Sequence, residues 1–245
     1  MITDVLTIVW KEWKEVLLQR SGMRRGWLNV LLMVAVFGVF LPLQAGRDWV
    51  TSPIVLGSWA WVPIMLVANI IADSFAGERE RHTLETLLAS RLPDTAILLG
   101  KMLAAVSYAW GITLVSLVLG VITVNATHWE GRLAMYPPHL IVGGVGISLL
   151  TAALAAGVGV LVSLRASTVR QAQQTLGVAT LLVVWVPILA MGMLPQSWQV
   201  RISEALGAAN SMGALLGAML ALAAVDVGLV VAARARFRRA RLILD

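Results

Sequence analysis

Long uninterrupted runs of apolar residues alternate with short polar stretches along the whole chain. The runs are close to or above the ~20 residues that a helix needs to cross a ~30 Å hydrocarbon core. They are continuous rather than alternating, and every backbone group must be paired inside lipid, so they predict helices rather than barrel strands. Six transmembrane helices are therefore expected, at residues 27–43, 52–75, 97–124, 139–164, 174–194 and 211–233.

The composition agrees with this pattern and excludes an ordinary soluble domain. Hydrophobic residues make up 59% of the 245 residues and charged residues 13%, whereas a soluble domain carries about 25% charge. The chain contains no cysteine, which excludes disulfides, thiolate metal sites and cysteine nucleophiles. No repeat or linker divides the sequence, so we interpret residues 1–245 as a single all-α polytopic membrane domain.

The basic residues are distributed unevenly among the predicted connections. All of the nineteen Lys and Arg except Arg47, Arg132 and Arg201 fall on one side of the predicted helix bundle. The positive-inside rule then places both termini in the cytoplasm. We expect the membrane to be the plasma membrane of a bacterial or archaeal cell. Topology and contact with lipid headgroups explain the net charge of +6, and no nucleic-acid partner is expected.

An amphipathic segment precedes the first predicted transmembrane helix. Its apolar residues recur at helical spacing and its charged residues fill the other face; the apolar set includes Val5, Ile8, Trp13, Val16 and Leu17. Residues 1–26 are therefore expected to lie flat in the inner interface, with Trp10 or Trp13 at headgroup depth. Two roles fit this helix: an anchor for the first span, or an elbow that couples a cytoplasmic partner to the bundle.

The connection between the second and third helices carries a mixed-sign cluster, Glu-Arg-Glu-Arg at residues 78–81. Gly77 and Pro93 bound the segment as helix breakers. Between them, four leucines fall on one helical face, at Leu84, Leu87, Leu88 and Leu92. The pattern predicts a short amphipathic helix over residues 77–93. Its leucine surface is expected to lie either on the bilayer and bundle or in a groove of another protein.

This connection resembles the segment after the second span of ABC-2 type transport permeases, the membrane subunits of ATP-binding cassette exporters. The matching residues are Glu78, Arg79, Glu80, Thr83, Leu84, Glu85, Leu87 and Leu88. His82 stands where the family usually has glycine, and Arg91 stands near a common proline position. The resemblance implies that the segment is a coupling helix, in which these residues and Arg81 dock on an ATPase subunit.

The resemblance also implies the partners. Two permease subunits, identical or different, would pair with two ATPase subunits that bind ATP and Mg²⁺. This chain itself has no phosphate-binding loop, because Thr95 and Met102 replace the residues that such a loop requires around Gly100-Lys101. We therefore expect no catalytic residue and no cofactor in this chain, and we assign ATP hydrolysis to a partner.

Few polar or helix-kinking residues interrupt the apolar runs, and these are the candidates for a substrate path or gate: Asn69, Pro63, Pro187 and Asp226. Asp226 lies about 10 Å inside the last predicted helix. A carboxylate there is costly unless it is paired or hydrated. We expect it to pair with a neighbouring helix or an arginine at the inner edge, or else to contact substrate. By resemblance, residues 195–210 would form re-entrant helices at an outer gate.

These features favour the membrane subunit of an exporter that moves a hydrophobic or amphiphilic substrate by alternating access. One rival is an ion-coupled secondary transporter, which would need similar halves and deep ionisable residues. A second rival is a membrane scaffold that recruits a cytoplasmic partner and transports nothing. An ATPase reading frame beside the gene would favour the exporter.

Overall fold

The computed structural model describes residues 1–18, 23–52, 55–83, 89, 91–198, 201 and 211–237. Within these ranges the regular structure is helical and no strand occurs. In chain order the helices are α1 (Ile2–Leu18), α2 (Met23–Ala35), α3 (Leu41–Ala45), α4 (Asp48–Thr51), α5 (Val55–Glu80), α6 (Asp94–Thr127), α7 (Pro138–Ser163), α8 (Val169–Met193) and α9 (Ser211–Arg236). The predicted all-α class is confirmed.

Among the described residues, four stretches of helix have the length and hydropathy to cross a membrane: Trp59–Glu80, Asp94–Thr127, Pro138–Ser163 and Met212–Arg236. A shorter apolar helix covers Val30–Ala45. α8 lies where the sequence places the fifth span. A multi-pass helical membrane protein is thus confirmed, and the number of six spans stays a prediction.

The connection after α5 differs from its prediction. α5 continues through Glu80, so no separate helix starts at Gly77, and residues 81–83 and 91–93 are not helical. Residues 84–88 and 90, with the predicted docking residues Leu84, Glu85, Leu87 and Leu88, lie outside the described residues. Leu92 packs against the core.

One other predicted segment has different bounds, and another lies largely outside the described residues. The N-terminal segment divides into α1 and α2, because α1 ends at Leu18 and α2 begins at Met23. Of the predicted outer gate segment 195–210, only residues 195–198 and 201 are described.

A π-helical turn over Val36–Phe40 joins α2 to α3, and Pro42 explains it. Proline has no N–H, so the Gly38 carbonyl loses its α-helical donor. The Leu41 N–H bonds back to the Val36 carbonyl, and Thr123 Oγ1 of α6 donates to the Gly38 carbonyl at 2.9 Å. This part of the chain is therefore fixed to α6 by a bond that satisfies an otherwise unpaired backbone group.

The core lies where α5 packs against α6 and α7. Small residues let α5 and α7 approach closely, because the Trp59 ring fills the space at Gly144 and the Ile71 side chain fills the space at Gly159. The buried Ser163 adds a polar link: its Oγ accepts from the Ala76 N–H at 3.0 Å and donates to the Ala72 carbonyl at 3.1 Å. These contacts hold α5 and α7 together up to the last turn of each helix.

Candidate functional site

The charged ends of several helices meet at one end of the bundle, which we call the basic end. There α5 ends at Glu80, α6 begins at Asp94, α7 ends at Ser163 and α8 begins at Val169. The four consecutive charges of residues 78–81 lie at this end, immediately before the segment predicted to dock.

The first charge, Glu78, belongs to a buried ion network. Lys101 Nζ of α6 lies 2.9 Å from Glu78 Oε1 and 2.7 Å from Glu12 Oε1 of α1. The Lys101 side chain is 1% exposed, and its ammonium lies 5.5 Å from the centre of the Phe75 ring. One buried cation therefore holds two carboxylates from two other helices. Burying any of these charges without its partners would be strongly unfavourable.

Lys11 extends the network toward the surface of α1. Its Nζ lies 3.5 Å from Glu78 Oε1, 3.6 Å from Glu12 Oε1 and 3.2 Å from Glu15 Oε1. Burial alone lowers the pKa of Lys11, but the carboxylates of Glu12, Glu78 and Glu15 outweigh it and raise the pKa on balance. Two lysines and three carboxylates thus join α1, α5 and α6.

α1 lies along the first turns of α6 rather than apart from the bundle. A side chain at Gly100 would collide with Ile8, which shows how closely the two helices cross. Trp13 Nε1 donates to the Ala104 carbonyl and to Ser107 Oγ, each at 3.3 Å. Trp10, by contrast, is exposed. This packing places Glu12 beside Lys101.

The second and third charges bind the ends of two further helices. Arg79 donates to the Leu164 and Ala166 carbonyls, at 3.0 and 2.9 Å, just after α7 ends. Glu80 Oε2 accepts from the Val169 N–H, the first residue of α8, at 3.1 Å. A cation at a helix C-terminus and an anion at a helix N-terminus both oppose the helix dipole favourably. The connection between α7 and α8 is therefore held from both sides by α5.

The fourth charge, Arg81, closes back on α5 itself. Its Nη2 donates to both carboxylate oxygens of Asp73, at 2.9 and 3.2 Å, in a largely exposed pair. Each of the four charges thus has a different partner: the α1–α6 network, the α7 terminus, the α8 terminus, and the preceding turns of α5.

A Schellman motif ends α5 directly after the cluster. The Thr83 N–H bonds to the Glu78 carbonyl at 2.9 Å and the His82 N–H bonds to the Arg79 carbonyl at 3.1 Å. His82 has a φ of 55°, the left-handed conformation in which glycine is most common. This explains why the position favours glycine and why the chain leaves the helix axis here. Thr83 Oγ1 also donates to the Glu78 carbonyl, at 3.3 Å.

The comparison with known families agrees with this geometry. Residues 51–203, more than half of the chain, match the family described as ABC-2 family transporter protein. The chain belongs to this family. No individual curated protein matches it. The matched region contains residues 78–81 and Lys101 of this ABC-2 permease, whereas Glu12 and Asp226 lie outside it.

The membership supports a transport subunit that associates with an ATP-binding cassette ATPase and a membrane, and that is not itself the catalytic chain. Among the described residues of the permease, no group of three or more His, Asp or Glu side chains could hold a metal ion.

The residues predicted for a substrate path lie on three helices, α5, α8 and α9. Asn69 is exposed and its Nδ2 donates to the Met65 carbonyl of its own helix at 2.9 Å. Pro63 is buried inside α5, and Pro187 lies within α8, which continues to Met193.

The structure does not show the predicted pair for Asp226. The residue is 8% exposed, and neither carboxylate oxygen has a hydrogen-bond partner among the described residues. The helix carrying it packs on α7 through one face, with Leu215, Met219 and Leu229 against Gly143, Gly146 and Gly157. No arginine or polar side chain of a neighbouring helix bonds to Asp226 within the described part of the chain, and its pairing stays a prediction.

Sequence reasoning missed Glu12 and Lys101 as members of the site. Glu12 was expected on the polar face of an amphipathic helix, and Lys101 was counted among the basic residues that orient the chain and was rejected as part of a phosphate-binding loop. A signal was present, because Lys101 lies inside the apolar stretch 97–124. A lysine in such a stretch requires a carboxylate partner. The identity of that partner depends on how α1 packs, which the spacing does not reveal.

Proposed function

We propose that this chain is the membrane-spanning subunit of an ATP-driven exporter, and that residues 78–81 transmit movement from a separate ATPase subunit to the helix bundle. One observation carries the proposal. The four charges that directly precede the predicted docking segment are bound to α1, α6, α7 and α8 and to α5 itself. A displacement of this segment would therefore act on most of the bundle at once.

The proposed topology has six spans and cytoplasmic termini in a bacterial or archaeal plasma membrane. In this arrangement α2 with α3 is the first span, α8 is the fifth and α9 is the sixth. The distribution of Lys and Arg supports the orientation, because the basic end then faces the cytoplasm, where an ATPase is available.

The proposed docking surface and the proposed transmitting residues are adjacent but distinct. Leu84, Leu87 and Leu88, with Glu85 and Thr83, would contact the ATPase. The four charged residues 78–81 were first predicted as docking residues. They would instead connect the docking surface to the helix bundle through the contacts described above. Glu78 in particular is buried against Lys101, which favours an internal role.

The complete transporter would contain two permeases, identical or different, and two ATPase subunits that bind ATP and Mg²⁺. Closure of the ATPases on ATP would move the two bundles as rigid bodies and switch access between the faces of the membrane. A hydrophobic or amphiphilic substrate suits a path between helices with few charges.

Co-expression with the ATPase encoded beside the gene would test the docking role. We expect the wild-type chain to co-purify with the ATPase, and the double variant Leu84→Glu/Leu87→Glu to insert normally but lose the ATPase. A matched control is Leu133→Glu/Met135→Glu, which places the same charges on exposed residues outside the basic end. The control should retain the ATPase.

Retention of the ATPase by Leu84→Glu/Leu87→Glu would contradict the docking role. Loss of the ATPase from both double variants would mean that added acidic charge, and not the leucine surface, disrupts the complex. Substrate-stimulated ATP hydrolysis in proteoliposomes then separates an exporter from a scaffold, because a scaffold would show association without stimulation.

A further inference from the structure

A cavity of about 380 Å³ opens at the basic end between α7, α8 and α9, away from the ion network. Its polar lining consists of Arg165, Arg236, Gln171 and Thr175, and aliphatic residues of α7 and α9 form the remaining walls. The volume falls within the range of small-molecule sites. The cavity therefore combines two cations with an apolar interior.

The two arginines are not neutralised by the described residues. Arg79 and Arg81 of the same end donate to carbonyl or carboxylate oxygens. Within the described ranges, neither the Arg165 nor the Arg236 guanidinium has such an acceptor. Both arginines are exposed and both line this cavity, so their positive charges favour an anion there. Phosphate is the anion whose oxygens match the guanidinium fork best.

A second, apolar cavity lies beside the first. It has a volume of about 80 Å³ and is lined by residues of α5, α7 and α8, including Ile64, Leu154 and Leu176. Val158 lines both cavities, which are therefore adjacent at this residue. Val158 lies seven residues before Arg165, which is about 10 Å at the rise of an α-helix. The two adjacent cavities, which we call the cleft, thus place charges at one end and aliphatic side chains at the other.

We propose that this cleft binds an anionic phospholipid. Arg165 and Arg236 bind the phosphate, Gln171 and Thr175 contact the polar part of the headgroup, and an acyl chain follows the apolar cavity past Val158. Basic pockets between membrane helices on the inner side bind such headgroups. A soluble phosphate would use the two arginines but would leave the apolar walls unoccupied. The inference is independent of the ATPase and of the exporter assignment.

Native mass spectrometry of the purified full chain in detergent tests this proposal, by titration with dioleoyl phosphatidylglycerol and dioleoyl phosphatidylcholine. We expect the wild-type chain to bind the anionic lipid at least about tenfold more tightly, since each charge-assisted bond to phosphate adds affinity of that order. The double variant Arg165→Gln/Arg236→Gln should bind both lipids equally.

The matched control is Arg170→Gln/Arg234→Gln. These arginines are exposed near the same helix ends, and neither lines the cavity. The control should keep the wild-type preference. Val158→Trp is a second test, because it places a large side chain between the two cavities without changing charge. It should weaken the binding of the anionic lipid and leave the unfolding temperature unchanged. If that variant unfolds, the comparison of Arg165→Gln/Arg236→Gln with its control tests the proposal alone.

Three results would overturn the proposal. The first is equal affinity of the wild-type chain for both lipids. The second is an equal loss of preference in the cavity variant and the control, which would indicate a diffuse surface charge effect. The third is displacement of phosphatidylglycerol by glycerol phosphate or inorganic phosphate at an equal concentration. That result would assign the cavity to a soluble anion.

Discussion

The ammonium of Lys101, in the second turn of α6, lies 2.9 Å from a carboxylate oxygen of Glu78, in the last turn of α5. This bond joins the two helices at the base of the connection that runs between them. The chain therefore leaves α5 and enters α6 close to two residues that are bonded to each other. A force on the connection acts on α5 and α6 as one unit, and Glu12 adds α1 to that unit.

Replacement of the buried cation should be strongly destabilising. Lys101→Met leaves Glu12 and Glu78 buried together without compensation, and we expect a loss of about 3–5 kcal/mol in the free energy of unfolding. Thermal or denaturant unfolding of the protein in detergent measures this. The triple variant Lys101→Met/Glu12→Gln/Glu78→Gln should recover most of the loss, because no uncompensated charge remains. A single variant as stable as wild type would contradict the central role of Lys101.

Lys11 belongs to the same network, but its removal should cost less stability than the removal of Lys101, and its contribution should depend on pH. Its side chain is 46% exposed, so Lys11→Met should cost less than about 1 kcal/mol. Its pKa is raised in the folded protein relative to the ordinary value of 10.5. The stability that Lys11 contributes is therefore fully present below pH 10.5 and is lost as the pH rises through the higher folded pKa. The difference in unfolding free energy between wild type and Lys11→Met should be constant from neutral pH to about pH 10.5 and should shrink at higher pH. A difference that grows with pH would contradict the sign.

His82→Gly should stabilise the protein. The left-handed φ of 55° at His82 costs a residue with a Cβ about 1 kcal/mol more than it costs glycine. We expect an increase of that order in the unfolding free energy. Arg81→Gly is the matched control, because Arg81 is bonded to Asp73 and does not have a positive φ; it should destabilise. A decrease in stability for His82→Gly would show that the imidazole makes a contact worth more than the backbone strain.

Thr123→Val should destabilise the protein, because Pro42 leaves the Gly38 carbonyl without its α-helical donor. The substitution removes the donor to the Gly38 carbonyl and should cost about 1–3 kcal/mol. In a Pro42→Ala background the backbone N–H of residue 42 can bond to that carbonyl, so the same threonine substitution should then be nearly neutral. The unfolding free energies of both single variants and the double variant form a double-mutant cycle. Additive effects would mean that Thr123 and Pro42 are not coupled.

The helices and the location of the site were predictable because they depend on local pattern. Apolar runs longer than a bilayer require helices, whatever their neighbours are. The cluster at residues 78–81 was identified from its charges and its position after a predicted span. Its partners were not, because Glu12 and Lys101 are separated by 89 residues and meet only when α1 packs on α6.

Two differences show tertiary contacts that override local signals. Gly77 suggested the end of a helix, yet α5 continues for another three residues. Bonds from Arg79 to the end of α7 hold that turn in place. For Asp226, the sequence reveals the cost of a carboxylate in an apolar helix but not which side chains surround it, and the expected pair is absent from the described residues.

The Ser163 hydroxyl occupies a rung of the α5 backbone ladder, since it accepts from the Ala76 N–H and donates to the Ala72 carbonyl. Side chains that enter a helix ladder in this way are common points of bending. The hydroxyl belongs to the final residue of α7. Any change in the angle between the charged C-terminal turn of α5 and its preceding apolar part therefore displaces α7 as well. Bending of α5 and displacement of α7 are therefore coupled through this one oxygen atom.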